Sequence, residues 1–248
     1  MNRTLQNKVA LVTGAAGPMG AAVVKKLISQ GCVVAMVDIN SEGLRKKADE
    51  FGERALPFEA DIKEFDNVEV TYADIERKLG GVDILVNNAG ILSNNKVLET
   101  SAEEWKNVMS INLDGAFYLS QQAVPHMKLK GWGRIINTCS LASKTGGITA
   151  GTAYTTSKGA LTSLTFSLAR ELAGEGITVN GISPAYVKTP MITEQLNEEQ
   201  RQELLEQIPV GRFCETEEFA HVVSFLAHPL SGFITGEIVD INGGLLFD

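Results

Sequence analysis

The residue types best suited to chemistry in this chain are a tyrosine and a lysine, Tyr154 and Lys158. They stand four residues apart in Ala-Tyr-Thr-Thr-Ser-Lys-Gly-Ala, a stretch that predicts a helix, so both side chains should lie on one helical face. A tyrosine ionises near pH 10, and a neighbouring positive charge favours its phenolate. The pair could therefore exchange a proton with an alcohol or a ketone. Alone, it would equally fit a solvated helix face.

Strands and helices alternate along the chain, and this order must position the pair. Apolar runs predict strands at 8–13, 33–37, 55–59, 83–86, 133–138, 178–182 and 237–241. Helices are predicted at 18–30, after Ser41, after Lys63, and at 102–130, 152–174 and 215–227. The alternation predicts an α/β fold with a Rossmann-like, doubly wound, mostly parallel sheet between two helical layers. No linker divides the 248 residues, so we predict one domain over residues 1–248.

Several chemically useful residues come directly after the predicted strands. Ligands of such sheets bind beyond the carboxyl ends of the strands, where the winding direction switches. The residues in these positions are Gly14, Asp38, Asn87, Ser140 and Pro184. We therefore expect them to gather along one edge of one sheet.

The turn after the first strand is rich in glycine, running Gly-Ala-Ala-Gly-Pro-Met-Gly from Gly14 to Gly20. Glycines allow a tight turn and let a pyrophosphate approach the N–H groups at the positive end of a helix. Gly14, Gly17 and Met19 are thus candidate cofactor contacts. The alternative is a strand–helix connection that binds nothing.

Asp38 ends the second strand, near the distance at which an acid accepts hydrogen bonds from an adenosine ribose. Its carboxylate would repel a 2'-phosphate, and neither the turn nor Ile39 and Asn40 supplies an Arg or Lys. The sequence therefore favours NAD over NADP. Asp38 could instead cap the following helix, but Ser41 can fill that role.

Two other strand ends extend the predicted nucleotide site. Asn88, Ala89 and Gly90 follow the fourth strand, where small residues let an adenosine lie against the backbone and an Asn can tie strands together. Asp61 and Ile62 follow the third strand and would lie near the adenine edge, although Asp61 could also cap a helix.

Taken together, these marks resemble the short-chain dehydrogenase/reductase family of the compact single-domain type. The resemblance runs from about Lys8 to Gly244. The matching marks are Thr13-Gly14-x-x-x-x-x-Gly20, Asn87-Asn88-Ala89-Gly90, Asn112, Ser140, Tyr154-x-x-x-Lys158, Pro184 and Thr189.

The resemblance implies a role for each group. Tyr154 takes the alcohol proton or gives it to the carbonyl, Ser140 orients the reacting oxygen, and Lys158 holds the nicotinamide ribose and lowers the pKa of the tyrosine. Asn112 bends its helix and holds a water in a proton relay to Lys158. The implied contacts at the nicotinamide end are Pro184, Val187 and Thr189.

Each implied role has an alternative. Ser143 is close enough to compete with Ser140, Asn112 could be a satisfied buried amide, and Thr189 could be a cap before Pro190. Two positions also depart from the family pattern. Pro18 stands where glycine is usual, from which we predict an altered helix entry with retained binding. Ala185 replaces the usual glycine and could narrow the nicotinamide end.

The residues flanking the predicted catalytic groups are mainly apolar with a few hydroxyls. The candidate substrate residues are Ser140, Ser143, Ile148, Tyr186 and Met191, with Ile192 beside them. They suit a neutral secondary alcohol or ketone, although Lys144 or Lys188 could serve a charged substrate. Residues 191–212 are predicted to form a mobile lid with an acidic face, made by Glu194, Glu198, Glu199, Glu203 and Glu206.

Composition limits the partners. The net charge of -8 argues against nucleic acid, and no apolar run is long enough to span a bilayer. Three scattered cysteines indicate free thiols in the cytoplasm, and three scattered histidines indicate no required metal. Apolar residues outside one stripe of the two long helices indicate subunit packing. They are Phe117, Leu119, Val124, Leu164, Phe166 and Leu168; the resemblance implies a homotetramer, with the last strand and the Leu245–Asp248 tail at another interface.

Our main hypothesis is an NAD-dependent oxidoreductase that interconverts a secondary alcohol and a ketone by direct hydride transfer. An alternative is a 3-oxoacyl-thioester reductase, which would usually favour NADPH, against Asp38. A third is a dinucleotide-binding regulator without turnover, which the Ser140, Tyr154 and Lys158 set disfavours.

Overall fold

The computed structural model describes residues 4–189 and 197–247. Its strands are β1 (Val9–Thr13), β2 (Val33–Asp38), β3 (Ala55–Glu59), β4 (Ile84–Asn87), β5 (Gly133–Thr138), β6 (Ile177–Pro184) and β7 (Ile238–Ile241). They form one parallel sheet in the order β3-β2-β1-β4-β5-β6-β7. The winding reverses between β1 and β4, so the predicted Rossmann-like sheet is confirmed.

The helices lie between these strands along the chain. They are α1 (Pro18–Ser29), α2 (Ser41–Phe51), α3 (Phe65–Leu79), α4 (Ala102–Met109), α5 (Gly115–Lys130), α6 (Ala142–Thr145), α7 (Thr152–Leu172), α8 (Glu198–Gln207) and α9 (Thr216–Ala227). Short 3₁₀ turns cover Ala173–Glu175 and Pro229–Ser231. Within the described ranges, no helix is long and apolar enough to cross a membrane.

Alternate residues of the central strands point to opposite faces of the sheet, as the pleat requires. Ala10 and Val12 of β1 pack in one core with α1, α2 and α9. Leu11 packs in the other core with α3, α5 and α7. The two cores produce the predicted three-layer α/β/α arrangement.

Several boundaries differ from the sequence prediction. β6 reaches Pro184 instead of ending at residue 182, so Pro184 belongs to the strand. The predicted cap of α2 was wrong: Asn40 caps it by accepting a hydrogen bond from the Gly43 N–H at 3.0 Å, and Ser41 is the first helical residue. The helix predicted at 102–130 contains a π-helical turn at Ser110–Asp114, between α4 and α5.

Candidate active site

The glycine-rich turn is held by contacts too close for any side chain. Gly14 has φ +65°, and a Cβ there would lie 3.0 Å from Ala89 Cα and Asn88 Nδ2. A Cβ on Gly20 would lie 2.2 Å from the Gly14 carbonyl oxygen. The first turn of α1 therefore packs directly on the β1–α1 turn.

Pro18 is the first residue of α1, and Gly17 before it is extended, with φ -76°. Proline suits this position because the first N–H of a helix has no intrahelical partner. Proline in place of glycine at residue 18 removes one backbone N–H donor, but the N–H groups of Met19 and Gly20 remain in the first turn. A phosphate cradle can therefore survive the change.

The Asn-Asn-Ala-Gly segment is tied to β1 by Thr13, a residue whose part in the site the sequence analysis missed. Its Oγ1 accepts hydrogen bonds from the backbone N–H of Asn88 at 3.0 Å and of Ala89 at 2.9 Å. The Asn88 side chain donates from Nδ2 to the Thr13 carbonyl at 2.9 Å. Asn88 thus ties two strand ends together, as predicted.

Asp38 is the last residue of β2, and its carboxylate faces the glycine-rich turn. Oδ2 accepts a hydrogen bond from the Ala16 N–H at 3.0 Å, and Oδ1 accepts one from the Asn40 N–H at 2.9 Å. Both contacts hold the side chain at the turn while leaving acceptor capacity on each oxygen. Asp38 does not cap α2, which removes the main alternative to its predicted role.

Asp61 and Ile62 lie beyond the end of β3. The Asp61 carboxylate is 3.2 Å from Lys63 Nζ and also accepts a hydrogen bond from the Lys63 N–H at 3.3 Å. Ile62 is buried, and a Cβ on Gly115 would lie 2.8 Å from its Cδ1. These contacts hold both residues beyond the carboxyl end of β3.

Asn112 lies in the π-helical turn, where the helix bends past the end of β4. Its Oδ1 accepts a hydrogen bond from the Ile91 N–H at 2.8 Å, and its Nδ2 donates to the Ile91 carbonyl at 3.0 Å. The second N–H donates to Ser157 Oγ at 3.0 Å. Asn112 is therefore a satisfied buried amide, and Oδ1 still has one lone pair available.

Lys158 is 3% exposed and points into the same edge. Its Nζ donates to the Thr138 carbonyl at 2.7 Å. A Cβ on Gly90 would lie 3.3 Å from this Nζ and 3.1 Å from Asn112 Oδ1, so both groups border Gly90. Burial lowers the pKa of Lys158 to about 8, and the Cys139 thiol opposes the shift.

Tyr154 lies one helical turn before Lys158, with Lys158 Nζ 5.8 Å from the centre of its ring. Burial raises the pKa of Tyr154, a hydrogen bond with the Ser140 side chain lowers it, and Cys139 raises it further. The shift therefore leaves the phenol protonated near neutral pH. In this structure, the contact that lowers the pKa of Tyr154 comes from Ser140 and not from Lys158.

Ser143 does not compete with Ser140 for the phenol. The short helix α6, which the sequence did not predict, turns Ser143 back so that its Oγ donates to the Ser140 carbonyl at 2.7 Å. Ser140 Oγ accepts a hydrogen bond from the Ala142 N–H at 3.2 Å. The turn leaves Ser140 as the hydroxyl beside Tyr154.

The segment after β6 returns along the same edge. The Pro184 carbonyl accepts a hydrogen bond from the Leu141 N–H at 3.1 Å, which joins this strand end to the turn after Ser140. Val187 is buried and forms an isolated parallel bridge with Cys214. Thr189 is half-buried and is the last described residue before a gap at 190–196.

The predicted substrate residues do not all meet in one cavity. Tyr186 lines a cavity of about 480 Å³ with Ile208, His221 and Asn242, while Asn112, Ser140, Tyr154 and Lys158 are absent from its described lining. Ile148 is 69% exposed on the loop before α7. Met191, Ile192 and Glu194 lie outside the described residues.

The charged residues near the substrate side are mostly paired. Lys144 Nζ lies 2.6 Å from Asp240 Oδ2, and Lys188 Nζ lies 3.0 Å from Glu215 Oε1. The predicted acidic face is exposed at Glu198, Glu199, Glu203 and Glu206, whereas its mobility stays a prediction. Across the described residues, no three His, Cys, Asp or Glu side chains come together as metal ligands would.

Comparisons with known proteins agree with this geometry. The family described as enoyl-(acyl carrier protein) reductase matches residues 14–246. The chain is 38% identical to 3-oxoacyl-[acyl-carrier-protein] reductase of Aquifex aeolicus, over 99% of this chain and 100% of that protein. It is 36% identical to meso-2,3-butanediol dehydrogenase of Serratia marcescens, over 96% of this chain and 94% of that protein.

The fold is also similar to that of a solved structure. The crystal structure of a short-chain dehydrogenase/reductase, described as glucose/ribitol dehydrogenase, from Brucella melitensis matches with a TM-score of 0.89. The two sequences are 33% identical, and the match covers 100% of both chains. The chain therefore belongs to the short-chain dehydrogenase/reductase family, as an enzyme that acts on CH–OH and keto groups.

Proposed function

We propose that this enzyme interconverts a secondary alcohol and a ketone with NAD as its cofactor. The observation that carries the proposal is the Tyr154 phenol, which lies beside the Ser140 side chain and one helical turn from Lys158, whose buried ammonium is 5.8 Å from the centre of the tyrosine ring. Such a hydroxyl pair can hold a carbonyl or alcohol oxygen and exchange its proton.

In reduction, Tyr154 donates its proton to the carbonyl oxygen as the alcohol forms. In oxidation, the same oxygen accepts the alcohol proton, and Ser140 orients the substrate oxygen by a hydrogen bond. Lys158 places a buried ammonium 5.8 Å from the centre of the Tyr154 ring, and it would hold the nicotinamide ribose. Asn112 Oδ1 and Lys158 Nζ both border Gly90, and Oδ1 keeps one lone pair that can accept a hydrogen bond from a water that carries the proton onward.

The residues present fit a nicotinamide dinucleotide. Because Gly14 and Gly20 carry no side chain, a pyrophosphate could approach the N-terminus of α1. Gly17 and Met19 would lie beside it. Asp61, Ile62, Asn88, Ala89 and Gly90 would border the adenosine, and Pro184, Val187 and Thr189 would border the nicotinamide. When bound, the nicotinamide supplies the carbon that accepts or gives the hydride.

The choice of NAD over NADP depends on Asp38. Its carboxylate is held at the turn by the Ala16 and Asn40 amides, where it can accept hydrogen bonds from a ribose diol. A 2'-phosphate at the same place would bring two anions together, and neither the turn from Gly14 to Gly20 nor Ile39 and Asn40 supplies an Arg or Lys to balance them.

We further propose a neutral substrate. Lys144 and Lys188 are both engaged by carboxylates, so neither offers an uncompensated charge to a phosphate or carboxylate. Ser143, Ile148, Tyr186 and Met191 would supply the more distant walls of the pocket, with Ser140 at its base.

The alternative substrate is a 3-oxoacyl thioester. What favours it is the name of the Aquifex aeolicus relative, 3-oxoacyl-[acyl-carrier-protein] reductase, and the same name on the relatives from Vibrio cholerae and Thermotoga maritima. Reduction of a 3-oxo group would use the same Tyr154 and Ser140. A ketone panel that includes a 3-oxoacyl thioester separates the two substrate classes.

We also propose a homotetramer in the cytoplasm. Phe117 on α5 and Phe166 on α7 are 43% and 48% exposed, whereas the neighbouring Leu119 is covered by the core. These exposed rings could pack against a second copy, and three unpaired cysteines suit a reducing compartment. Light scattering of the purified protein measures the oligomeric state directly.

The proposed function is tested by an alcohol and ketone panel with NAD(H), following the absorbance of the reduced cofactor. Parallel titrations with NADH and NADPH test Asp38, and the double variant Asp38→Ala with Ile39→Arg should reverse the preference. Ile39 is suited to the change because it is 64% exposed and does not cap α2. Equal binding of NADPH by the unmodified enzyme would contradict the cofactor proposal, and no turnover of any alcohol, ketone or thioester would contradict the reaction.

A further inference from the structure

Two loops on the substrate side of the sheet are joined by one lysine. The first, the entrance loop, covers residues 91–101, and the second, the glycine loop, covers residues 146–151. Lys96 of the entrance loop donates from Nζ to the Gly147 carbonyl at 3.0 Å and to the Ala150 carbonyl at 2.6 Å. The sequence analysis did not single out Lys96.

The two carbonyl oxygens converge on one ammonium group, and this geometry needs a positive charge. Carbonyl oxygens that point at each other repel, whereas a cation between them makes two charge-assisted hydrogen bonds. Gly147 is buried at φ +79°, so its part of the loop is folded inward. Without the ammonium, both acceptors must find water or turn away.

The backbone brings the same loops into close contact. The Gly151 N–H donates to the Ser93 carbonyl at 2.7 Å, and the Thr152 N–H donates to the Asn95 carbonyl at 3.0 Å. A Cβ on Gly151 would lie 2.4 Å from the Asn95 carbonyl oxygen. These backbone contacts couple the entrance loop to the glycine loop, so one loop cannot move away without breaking them.

The entrance loop is itself anchored to α4. Glu104 of α4 accepts hydrogen bonds from Ser93 Oγ and from Asn95 Nδ2, the latter at 2.8 Å. These two bonds lower the pKa of the Glu104 carboxyl. Lys96 thus connects the glycine loop to a fixed helix.

The glycine loop leads directly into the catalytic helix. Gly151 is the N-cap of α7, and Tyr154 lies in the first turn of that helix. Ile148, one of the proposed pocket residues, lies on the glycine loop between the two carbonyls that Lys96 binds. A shift of this loop would move one wall of the pocket without removing a catalytic group.

We propose that Lys96 is a positioning residue that fixes the glycine loop as a wall of the substrate pocket and so sets which alcohols bind. The inference rests on the proposed function, since it concerns the pocket of that reaction. Lys96 does not touch the reacting atoms, so its loss should change substrate KM and leave kcat and cofactor affinity nearly unchanged.

The test compares Lys96→Ala and Lys96→Arg with a matched control, Lys106→Ala, which removes an exposed lysine from α4. Hydrogen exchange of the full-length NADH complex is measured by peptide over residues 141–156. Lys96→Ala should exchange about tenfold faster there, because two charge-assisted bonds are lost. Lys96→Arg, which keeps the charge, should restore most of the protection, and Lys106→Ala should match the unmodified enzyme.

Steady-state kinetics with the best substrate of the panel provide the second readout. For Lys96→Ala we expect KM to rise about fivefold to tenfold, with kcat and the Kd of NADH within about twofold. Bulkier alcohols should gain relative to small ones. Unchanged exchange over 141–156 in Lys96→Ala would overturn the inference, as would accelerated exchange with an unchanged KM and an unchanged preference between bulky and small alcohols.

The two proposals fail in different ways. If no alcohol or ketone reacts, the proposed function is contradicted, while the exchange experiment still decides whether Lys96 holds the loop. If turnover is strong and Lys96→Ala behaves like Lys106→Ala in both readouts, only the role of Lys96 is lost.

Discussion

The proposed nucleotide half of the sheet edge and the proposed catalytic half are held together by different contacts. Between β1 and β2, close contacts at Gly14 and Gly20 set the geometry: a Cβ on Gly14 would crowd Ala89 and Asn88, and a Cβ on Gly20 would overlap the turn. On the catalytic side, hydrogen bonds from Asn112 and Lys158 to distant backbone carbonyls do the same work. The glycine positions can be recognised from a short sequence motif, whereas hydrogen bonds between residues far apart in the sequence cannot.

The two halves should therefore respond differently to substitution. A side chain added at one of these glycines would overlap neighbouring atoms, which would displace a helix and weaken cofactor binding. A catalytic hydrogen bond fails by loss of one group, which leaves the fold and the cofactor site in place. Variants in the two halves should therefore divide cleanly between cofactor affinity and turnover.

The largest effect is expected for Tyr154→Phe. Removing the hydroxyl removes the proton donor and acceptor, so kcat should fall about 10³-fold, within the range for a general acid or base. The Kd of NADH, measured by fluorescence titration, should change less than about threefold because the ring remains. Tyr118→Phe is the matched control: this tyrosine packs edge-on against Phe65 and should keep full activity. Turnover by Tyr154→Phe near the unmodified rate would contradict the catalytic assignment.

The same division explains how far the sequence could predict the site. The glycine turn, Asp38 and the Tyr154-x-x-x-Lys158 spacing could be identified because each is a local pattern that follows or begins a regular element. Thr13 and Ser157 could not be assigned their roles. Thr13 binds Asn88 across 75 positions and Ser157 binds Asn112 across 45, so only the folded chain brings them together.

Two other errors concern a helix cap and the interior of a helix. Ser41 is a good cap in isolation, yet Asn40 caps α2 because the chain leaves β2 at Asp38, whose carboxylate holds the Asn40 N–H. The π-helical turn at Ser110–Asp114 forms where Asn112 reaches back to Ile91, a contact that no helical periodicity indicates. Local chemistry predicted the fold, and long-range hydrogen bonds refined the site.

The second largest effect is expected for Ser140→Ala, tested against Ser143→Ala. The Ser140 side chain lies beside the Tyr154 phenol and lowers its pKa, so its loss should lower kcat about 10²-fold. Ser143 Oγ donates to the Ser140 carbonyl, so its loss should cost less than about threefold. Steady-state assays of both variants decide the assignment, and a deeper loss for Ser143→Ala would reverse it.

In the nucleotide half, Gly20→Ala should weaken NADH binding about tenfold or more while kcat at saturation changes little. The added Cβ would lie 2.2 Å from the Gly14 carbonyl, so α1 must move away from the turn. Gly17→Ala is the control: its φ is -76° and its Cβ would lie 3.4 Å from the same oxygen, so the change should be tolerated. Calorimetric titration with NADH measures both, and equal affinity of the two variants would refute the packing argument.

The smallest effect concerns pH and acts on the catalytic half alone. Burial raises the pKa of Tyr154, so the phenol stays protonated through neutral pH and can donate to a ketone. Ketone reduction should therefore change less than about twofold between pH 6 and 7, whereas alcohol oxidation, which needs the phenol to lose its proton, should rise severalfold between pH 6 and 8. Above pH 8, Lys158 loses its charge, because its pKa is about 8, and reduction should fall as this ammonium deprotonates while the phenol stays protonated. NADH affinity from the backbone-built nucleotide half should stay flat between pH 6 and 7.5, and reduction that climbs with pH over that range would contradict Tyr154 as the proton donor.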